Sequence, residues 1–313
     1  MRELNLAASP HIHDGSSVRG IMLAMIVALS PALAAATVLF GLQALILAGV
    51  TVFCAVFFEW LAKRVMKKET SSVFDLSAAV SGLILALGLP ANTPLWVAAV
   101  GAAVAVLLVR RVLGGLLGRN PVNPALAGHI AVAMLSRTDG YPAPLAWLPG
   151  ADVDAAATAT PLQLLAEGAP LPGFGQMLLG VRSGSMGETA VIALFLGGAY
   201  LVWRRVITPA VPLVFIGTTL LVLALAGQDP FVHLLSGALV FVAIFMATDY
   251  STSPLTMKGK IIFAVGCGLI TAIFRLPGGG LTDGISFALV TMNLLVPLID
   301  RFTLPAAFGR KNR

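Results

Sequence analysis

Residues 76–94 read LSAAVSGLILALGLPANTP, from Leu76 to Pro94. The run carries no charged side chain, and its apolar residues are continuous rather than alternating. It therefore reads as a helix in hydrocarbon and not as a strand of a membrane barrel. Pro90 and Pro94 end it, because proline lacks a backbone N–H and disfavours helix at the residue before it. A second stretch, LLSGALVFVAIFMATDYSTSP from Leu234 to Pro254, follows the same plan. Small residues open it, an apolar stretch follows, and a break rich in Thr, Ser and Pro closes it.

Outward from these two runs, the chain divides into about ten apolar segments of spanning character. They cover roughly 20–40, 42–63, 75–89, 95–113, 123–136, 188–203, 209–226, 231–247, 259–274 and 284–299, with ends good to a few residues. The two quoted runs are then the third and eighth spans. An odd number of spans in each half turns the second half upside down relative to the first. The sequence thus predicts an all-α polytopic membrane protein built as two inverted five-helix repeats. The expected divisions are residues 1–136, a polar-leaning loop over 137–187, and residues 188–313. Composition agrees: 58% of residues are hydrophobic and 11% charged, with a mean hydropathy of +0.94. Soluble domains carry roughly 25% charged residues.

Orientation follows from the basic residues. With the N-terminus in the cytoplasm, all of the 20 Lys and Arg except Arg137, Arg182 and Arg275 fall on the cytoplasmic side. Both termini are then cytoplasmic and the 137–187 loop lies outside, in the periplasm. The net charge of +6 is accounted for by topology, so nucleic acid is not expected as a partner. Cys54 and Cys267 are too few to hold an iron–sulfur cluster, which takes four ligands. His11, His13, His129 and His233 share no ligand spacing, so no metal site is expected.

The outer loop contains Asp154-Ala-Ala-Ala-Thr-Ala-Thr160. This fits the core of a D-x-x-(S/T)-G-A-T pattern at which a flavin transferase esterifies FMN to the last threonine through its phosphate. Asp154, Ala159 and Thr160 match; Ala157 and Thr158 depart from the preferred Ser/Thr and Gly. A second register, Asp152 with Thr158, fits equally in form, as does an unmodified Ala/Thr-rich loop. Ser183-Gly-Ser-Met-Gly-Glu-Thr189 opens the sixth span on the same side. Gly187, Glu188 and Thr189 are candidates to contact that flavin, since helix N-termini favour phosphate. The plainer expectation is a capping box of Ser185 and Glu188. Arg275 suits either the flavin phosphate or Asp283.

On the cytoplasmic side, Gly114-Gly-Leu-Leu-Gly-Arg-Asn-Pro-Val-Asn-Pro-Ala125 is the sharpest helix break. Asn120 and Asn123 can each donate and accept hydrogen bonds, which suits a flat ligand with imide edges or a stripped cation. Asn123 before Pro124 also reads as an N-cap. Asp249, at the end of the eighth span, stands among Thr248, Ser251, Thr252 and Ser253. It is a candidate for a Na⁺ or H⁺ pathway, or a solvated carboxylate at a helix end.

Taken in order, these motifs resemble a family. Ser9-Pro-His-Ile12, the Gly-Gly-x-x-Gly-x-Asn-Pro-x-Asn-Pro-Ala run, Gly-Glu-Thr189, Phe-Met-Ala-Thr-Asp249, and Asp283-Gly-x-x-Phe-Ala288 through Met292-Asn293 are similar to the family of the D subunit of the Rnf complex. The B subunit of the Na⁺-pumping NADH:quinone reductase has the same layout. The resemblance runs from about residue 9 to residue 300. It implies a ten-span subunit of a six-subunit complex in the bacterial inner membrane. It implies FMN esterified to Thr160 and a second, noncovalent flavin (riboflavin) toward the cytoplasm, with Asn120 and Asn123 as candidates. The implied function is electron relay between ferredoxin and NAD coupled to Na⁺ or H⁺ translocation, by a chain that is not a complete enzyme and that assigns no catalytic residue to itself. A cofactor-free transporter or channel with the same five-plus-five repeat is the alternative, distinguished by the Asp154–Thr160 loop.

Overall fold

In a computed structural model, the structure describes residues 17–66, 75–114, 120–136, 141–142, 144, 159–276 and 284–305. All regular elements among them are helical. Five helices are long and apolar enough to cross a membrane: α1 (Val18–Phe40), α2 (Leu42–Val65), α4 (Leu95–Ala103, running on as a π-helix over Val104–Leu113), α13 (Met257–Arg275) and α14 (Gly284–Thr303). Four shorter apolar helices accompany them: α3 (Ser77–Gly88), α5 (Pro124–Leu135), α9 (Val191–Trp203) and α10 (Ala210–Leu225). Phe53, Leu213, Leu225 and Leu294 are among the large apolar side chains left exposed on the outside. This is the surface of a multi-pass membrane protein, in which every backbone group of a spanning helix is satisfied within the helix.

Local sequence sets the ends. Ser17 caps α1, its Oγ accepting from Gly20 N at 3.1 Å. Gly41, at φ +80°, makes the one-residue turn into α2 that a side chain would strain. Asn123 caps α5 and Pro124 takes its first position, as the sequence predicts. Among the described residues between α5 and α9 lie three short helices, α6 (Pro161–Glu167), α7 (Phe174–Leu179) and α8 (Met186–Thr189).

Small residues allow close crossings, as membrane interfaces favour. A Cβ on Gly82 of α3 would lie 2.9 Å from Ala55 Cβ of α2, and one on Gly268 of α13 would lie 2.9 Å from Phe215 O of α10. Helix α2 packs on α3 and α4, and α4 on α5; α10 packs on α13, and α13 on α14; α1 packs along α9.

The eighth segment differs from the single span expected over 231–247. It is broken into α11 (Pro230–Leu235) and α12 (Leu239–Phe241), the latter continuing as a π-helix over Val242–Met246. Ser236 is extended and Gly237 adopts φ +66°, so the helical hydrogen bonds stop there. The guanidinium of Arg275 takes over: Nη1 donates to His233 O at 2.7 Å and Nη2 to Ser236 O at 3.3 Å.

Candidate functional site

Two cavities hold most of the residues singled out by the sequence. The smaller, of about 40 Å³, is bordered by Thr160, Ser185, Glu188, Gly237 and Ser286. Thr160 is buried at the start of α6. Its Oγ1 accepts from Gln163 N at 3.4 Å, and Gln163 Oε1 accepts from Thr160 N at 2.8 Å. This reciprocal pair is a capping box that sequence reasoning missed, although Thr160-Pro161 with Gln163 carries its signature. Asp154, Asp152 and Thr158 lie outside the described residues.

The Ser185–Glu188 capping box does not form. Ser185 makes no side-chain cap hydrogen bond and heads only the single turn α8, which ends at Ala190 before α9 begins. Gly187 packs on α3, where a Cβ would come within 2.9 Å of Leu87 O, and Met186 N donates to Leu89 O at 3.0 Å. Thr189 is buried with its hydroxyl on Met186 O at 3.4 Å. Of the three expected contacts, only Glu188 borders the cavity.

Two arginines back this end. Arg182 is buried and donates Nη2 to Glu188 O at 2.8 Å, while its Nε and Nη1 have no partner among the described residues. Burial lowers its pKa from the ordinary value, against the opposing charge of Glu188. Arg275 lies behind Gly237, where a Cβ would fall 2.8 Å from Nη2 and 2.9 Å from Leu162 Cδ1. It binds helix carbonyls, as described above; its alternative partner Asp283 lies outside the described residues.

The larger cavity is about 440 Å³ and brings together Asn120, Asn123, Asp249, Ser251, Ser77 and Arg110. Asn123 is buried and engaged through both amide atoms: Oδ1 accepts from Ala125 N at 3.0 Å and Leu126 N at 3.3 Å, and Nδ2 donates to Met246 O at 3.3 Å. Asn120 donates Nδ2 to Ser251 Oγ at 3.4 Å. Gly114 leaves room for it, since a Cβ there would collide with Asn120 Oδ1. The Asp249 carboxylate accepts from Ser251 N at 3.2 Å, Ser251 Oγ at 2.9 Å and Thr252 Oγ1 at 3.3 Å. Burial raises its pKa, opposed by these hydrogen bonds and by Arg110.

Sequence reasoning missed Arg110. It lies on the π-helical part of α4 and donates Nη2 to Ser77 Oγ at 2.7 Å, and Ser77 Oγ in turn donates to Asp75 Oδ1 at 2.6 Å. The signal was an ionisable residue at the end of an apolar run, which in a membrane reads as functional by default. Its neighbour Arg111 lines the same cavity and joins Lys63 on the buried Glu59. No cluster of metal-ligating side chains occurs among the described residues.

The comparisons with known proteins extend over this whole framework. The model of the NQR2, RnfD, RnfE family matches residues 5–309. The D subunit of the Na(+)-translocating ferredoxin:NAD(+) oxidoreductase complex of Acetobacterium woodii is 42% identical over 315 residues, covering 99% of this chain and 97% of that protein. The D subunit of the proton-translocating ferredoxin:NAD(+) oxidoreductase complex of Clostridium ljungdahlii is 37% identical, covering 98% of this chain and 96% of its own length. The D subunit of an ion-translocating oxidoreductase complex of Stutzerimonas stutzeri is 36% identical over 95% of this chain and 94% of its own. With nearly every residue spanned by the match, the chain belongs to the NQR2, RnfD, RnfE family.

Proposed function

We propose that this chain is an electron-relaying membrane subunit of a six-subunit, Rnf-type ferredoxin:NAD oxidoreductase that moves Na⁺ or H⁺. In this reading it carries FMN esterified to Thr160 and a noncovalent flavin, riboflavin, beside Asn120 and Asn123. The observation that carries the reading is the relation between the two cavities. Neighbouring residues of shared walls line them: Leu126 and Ala125 of α5, and Met246 and Phe245 of the π-helical turn after α12. In this reading electrons pass between ligands held at these two places. Bound flavin would supply the one- and two-electron chemistry; the protein supplies position and field.

The residues fit those groups differently. The hydroxyl oxygen of Thr160 accepts one hydrogen bond, from Gln163 N, and an ester oxygen keeps that ability. The unpartnered nitrogens of buried Arg182 lie beside Glu188, so this end has cationic donors in reserve for a phosphate diester. A cavity of about 40 Å³ takes no ring system, so Thr160 would hold the FMN by its phosphate. The 440 Å³ cavity falls within the roughly 300–1,000 Å³ of sites for drug-sized ligands.

The ten-span inverted repeat is part of the same reading, with residues 1–136 and 188–313 as its halves and a periplasmic loop over 137–187. Corresponding pairs support it: α2 with α4 and α10 with α13, α4 with α5 and α13 with α14, while α1 and α9 meet at the junction. A flavin transferase is the implied maturation partner. Thr160→Val should abolish in-gel flavin fluorescence of this subunit while leaving it inserted, and mass spectrometry of the loop peptide should lose the FMN adduct. Fluorescence that survives Thr160→Val and disappears in Thr158→Val would move the attachment to Thr158.

A further inference from the structure

Where α1 begins and α9 ends, the molecule carries a cluster of charge that neither cavity uses. The two helices pack along each other, so closely that a Cβ on Gly197 of α9 would collide with Ala28 O of α1. Ile21 of α1 and Val206 just past α9 border the same cavity, which brings Arg19 to the end that holds Arg204 and Arg205. All three arginines are exposed. Among the described residues the ion pairs are those of Lys63 and Arg111 with Glu59, so none of the three has a carboxylate partner there.

Arg205 stands where a side chain is strained, at φ +57°. Arg205 N donates to Val202 O and Val206 N to Leu201 O, both at 2.9 Å. These are the paired bonds of a helix end whose left-handed residue is ordinarily glycine. Glycine takes that conformation freely and arginine does not. The turn therefore does not account for an arginine; the charge displayed beside Arg204 does. Just before them Trp203 is 75% exposed, its ring 6.1 Å from that of Tyr200. Tryptophan is enriched at the headgroup level of a bilayer. Ile192, Phe195 and Leu196 continue its face along α9 as exposed apolar side chains. Positive charge, an interfacial ring and an apolar stripe thus follow one another along a single helix. A free anion or an acidic soluble protein would leave the stripe unused, whereas a lipid with an anionic headgroup uses all three.

We propose that Arg19, Arg204, Arg205 and Trp203 form a site for an anionic glycerophospholipid. The guanidinium groups donate to the headgroup phosphate, a geometry that suits their planar fork. Trp203 lies at the glycerol level, and an acyl chain runs down the exposed face of α9. In the proposed orientation this lipid belongs to the cytoplasmic leaflet. The inference needs no cofactor and stands apart from the flavin reading.

The test places the purified complex in phosphatidylcholine nanodiscs with a rising fraction of brominated phosphatidylglycerol. Bromine quenches on contact, and Trp203 is followed as the fluorescence difference between wild type and Trp203→Phe. Its quenching should saturate at a lower lipid fraction than with brominated phosphatidylcholine. A basic residue near an anionic surface contributes about 1 kcal/mol, so Arg19→Gln, Arg204→Gln and Arg205→Gln should each require about fivefold more phosphatidylglycerol. Arg205→Gly separates the roles, because it relieves the turn while removing the guanidinium. Its Tm should hold or rise while its lipid preference falls as in Arg205→Gln. Equal quenching by the two lipids would overturn the site, as would a preference undiminished in Arg205→Gly. Quenching by neither lipid would mean that another protein covers Trp203, and would overturn it too. Relief of quenching by inorganic phosphate would reduce the cluster to a free-anion site and overturn the lipid assignment.

Discussion

Asn120 and Asn123 carry the same amide and border the same cavity, yet their side chains are occupied differently. Asn123 spends its oxygen on two N–H groups at the start of α5 and its nitrogen on Met246 O, which ties α5 to the π-helical turn after α12. Asn120 makes one long hydrogen bond, to Ser251. Sequence alone offers cap or ligand for both, because an amide before proline fits either role. What separates them is a carbonyl 123 positions away in the chain, which no local pattern reports. Asn123→Leu should therefore act on stability. Loss of an N-cap costs about 0.5–2 kcal/mol, so the Tm in detergent should fall by several degrees. Asn120→Leu should leave the Tm close to wild type and reduce noncovalent flavin content. Both are read by differential scanning fluorimetry and by flavin released on denaturation. The reverse pattern, with Asn120 governing the Tm and Asn123 only the flavin, would exchange their roles.

At the scale of elements, the break between α11 and α12 is where the sequence and the structure part. Residues 231–247 read as one apolar span because hydropathy averages over a window and does not see the three residues of non-helical backbone at 236–238. Ser236 and Gly237 are visible as small residues, but small residues also pack helices closely, as Gly82 does. The decisive feature is Arg275 at the end of α13, whose guanidinium accounts for the carbonyls of His233 and Ser236. A fork of planar N–H donors suits two carbonyls at once. Sequence places Arg275 outside the membrane and offers a phosphate or Asp283 as its partner; it contains no sign of the carbonyls. Arg275→Gln should leave one carbonyl unpaired, and Arg275→Leu both. An unsatisfied buried acceptor costs about 1–3 kcal/mol. Thermal stability in detergent should therefore fall in the order wild type, Gln, Leu, with amide exchange rising first over residues 234–238. Equal stability of the Leu variant would mean that other groups satisfy the break.

For the whole molecule, helix positions are legible to within a few residues wherever an apolar run ends in a charge or a proline. Helix α2 stops after Lys63 and Arg64, α5 starts at Pro124, and α13 stops at Arg275. Cavities are not legible, because they form where distant runs meet: the larger one draws on residues from Ile21 to Ser251. Orientation is a property of the same scale, and it rests on charge alone. All but three of the 20 basic residues fall on one side if α1 enters from the cytoplasm, and Lys and Arg near span ends set topology. Two of the three exceptions, Arg182 and Arg275, are buried against Glu188 O and helix carbonyls, so they do not act as free surface charge. Their exclusion strengthens the asymmetry. Alkaline phosphatase fused after residue 150 should therefore be active, and a fluorescent protein fused at residue 313 should report the cytoplasm. In the proposed orientation Thr160 would lie outside, on the side where a flavin transferase would act, and the Asn120 cavity toward the inner face. A cytoplasmic signal at residue 150 would invert both sites together, since the two are fixed to the same helices.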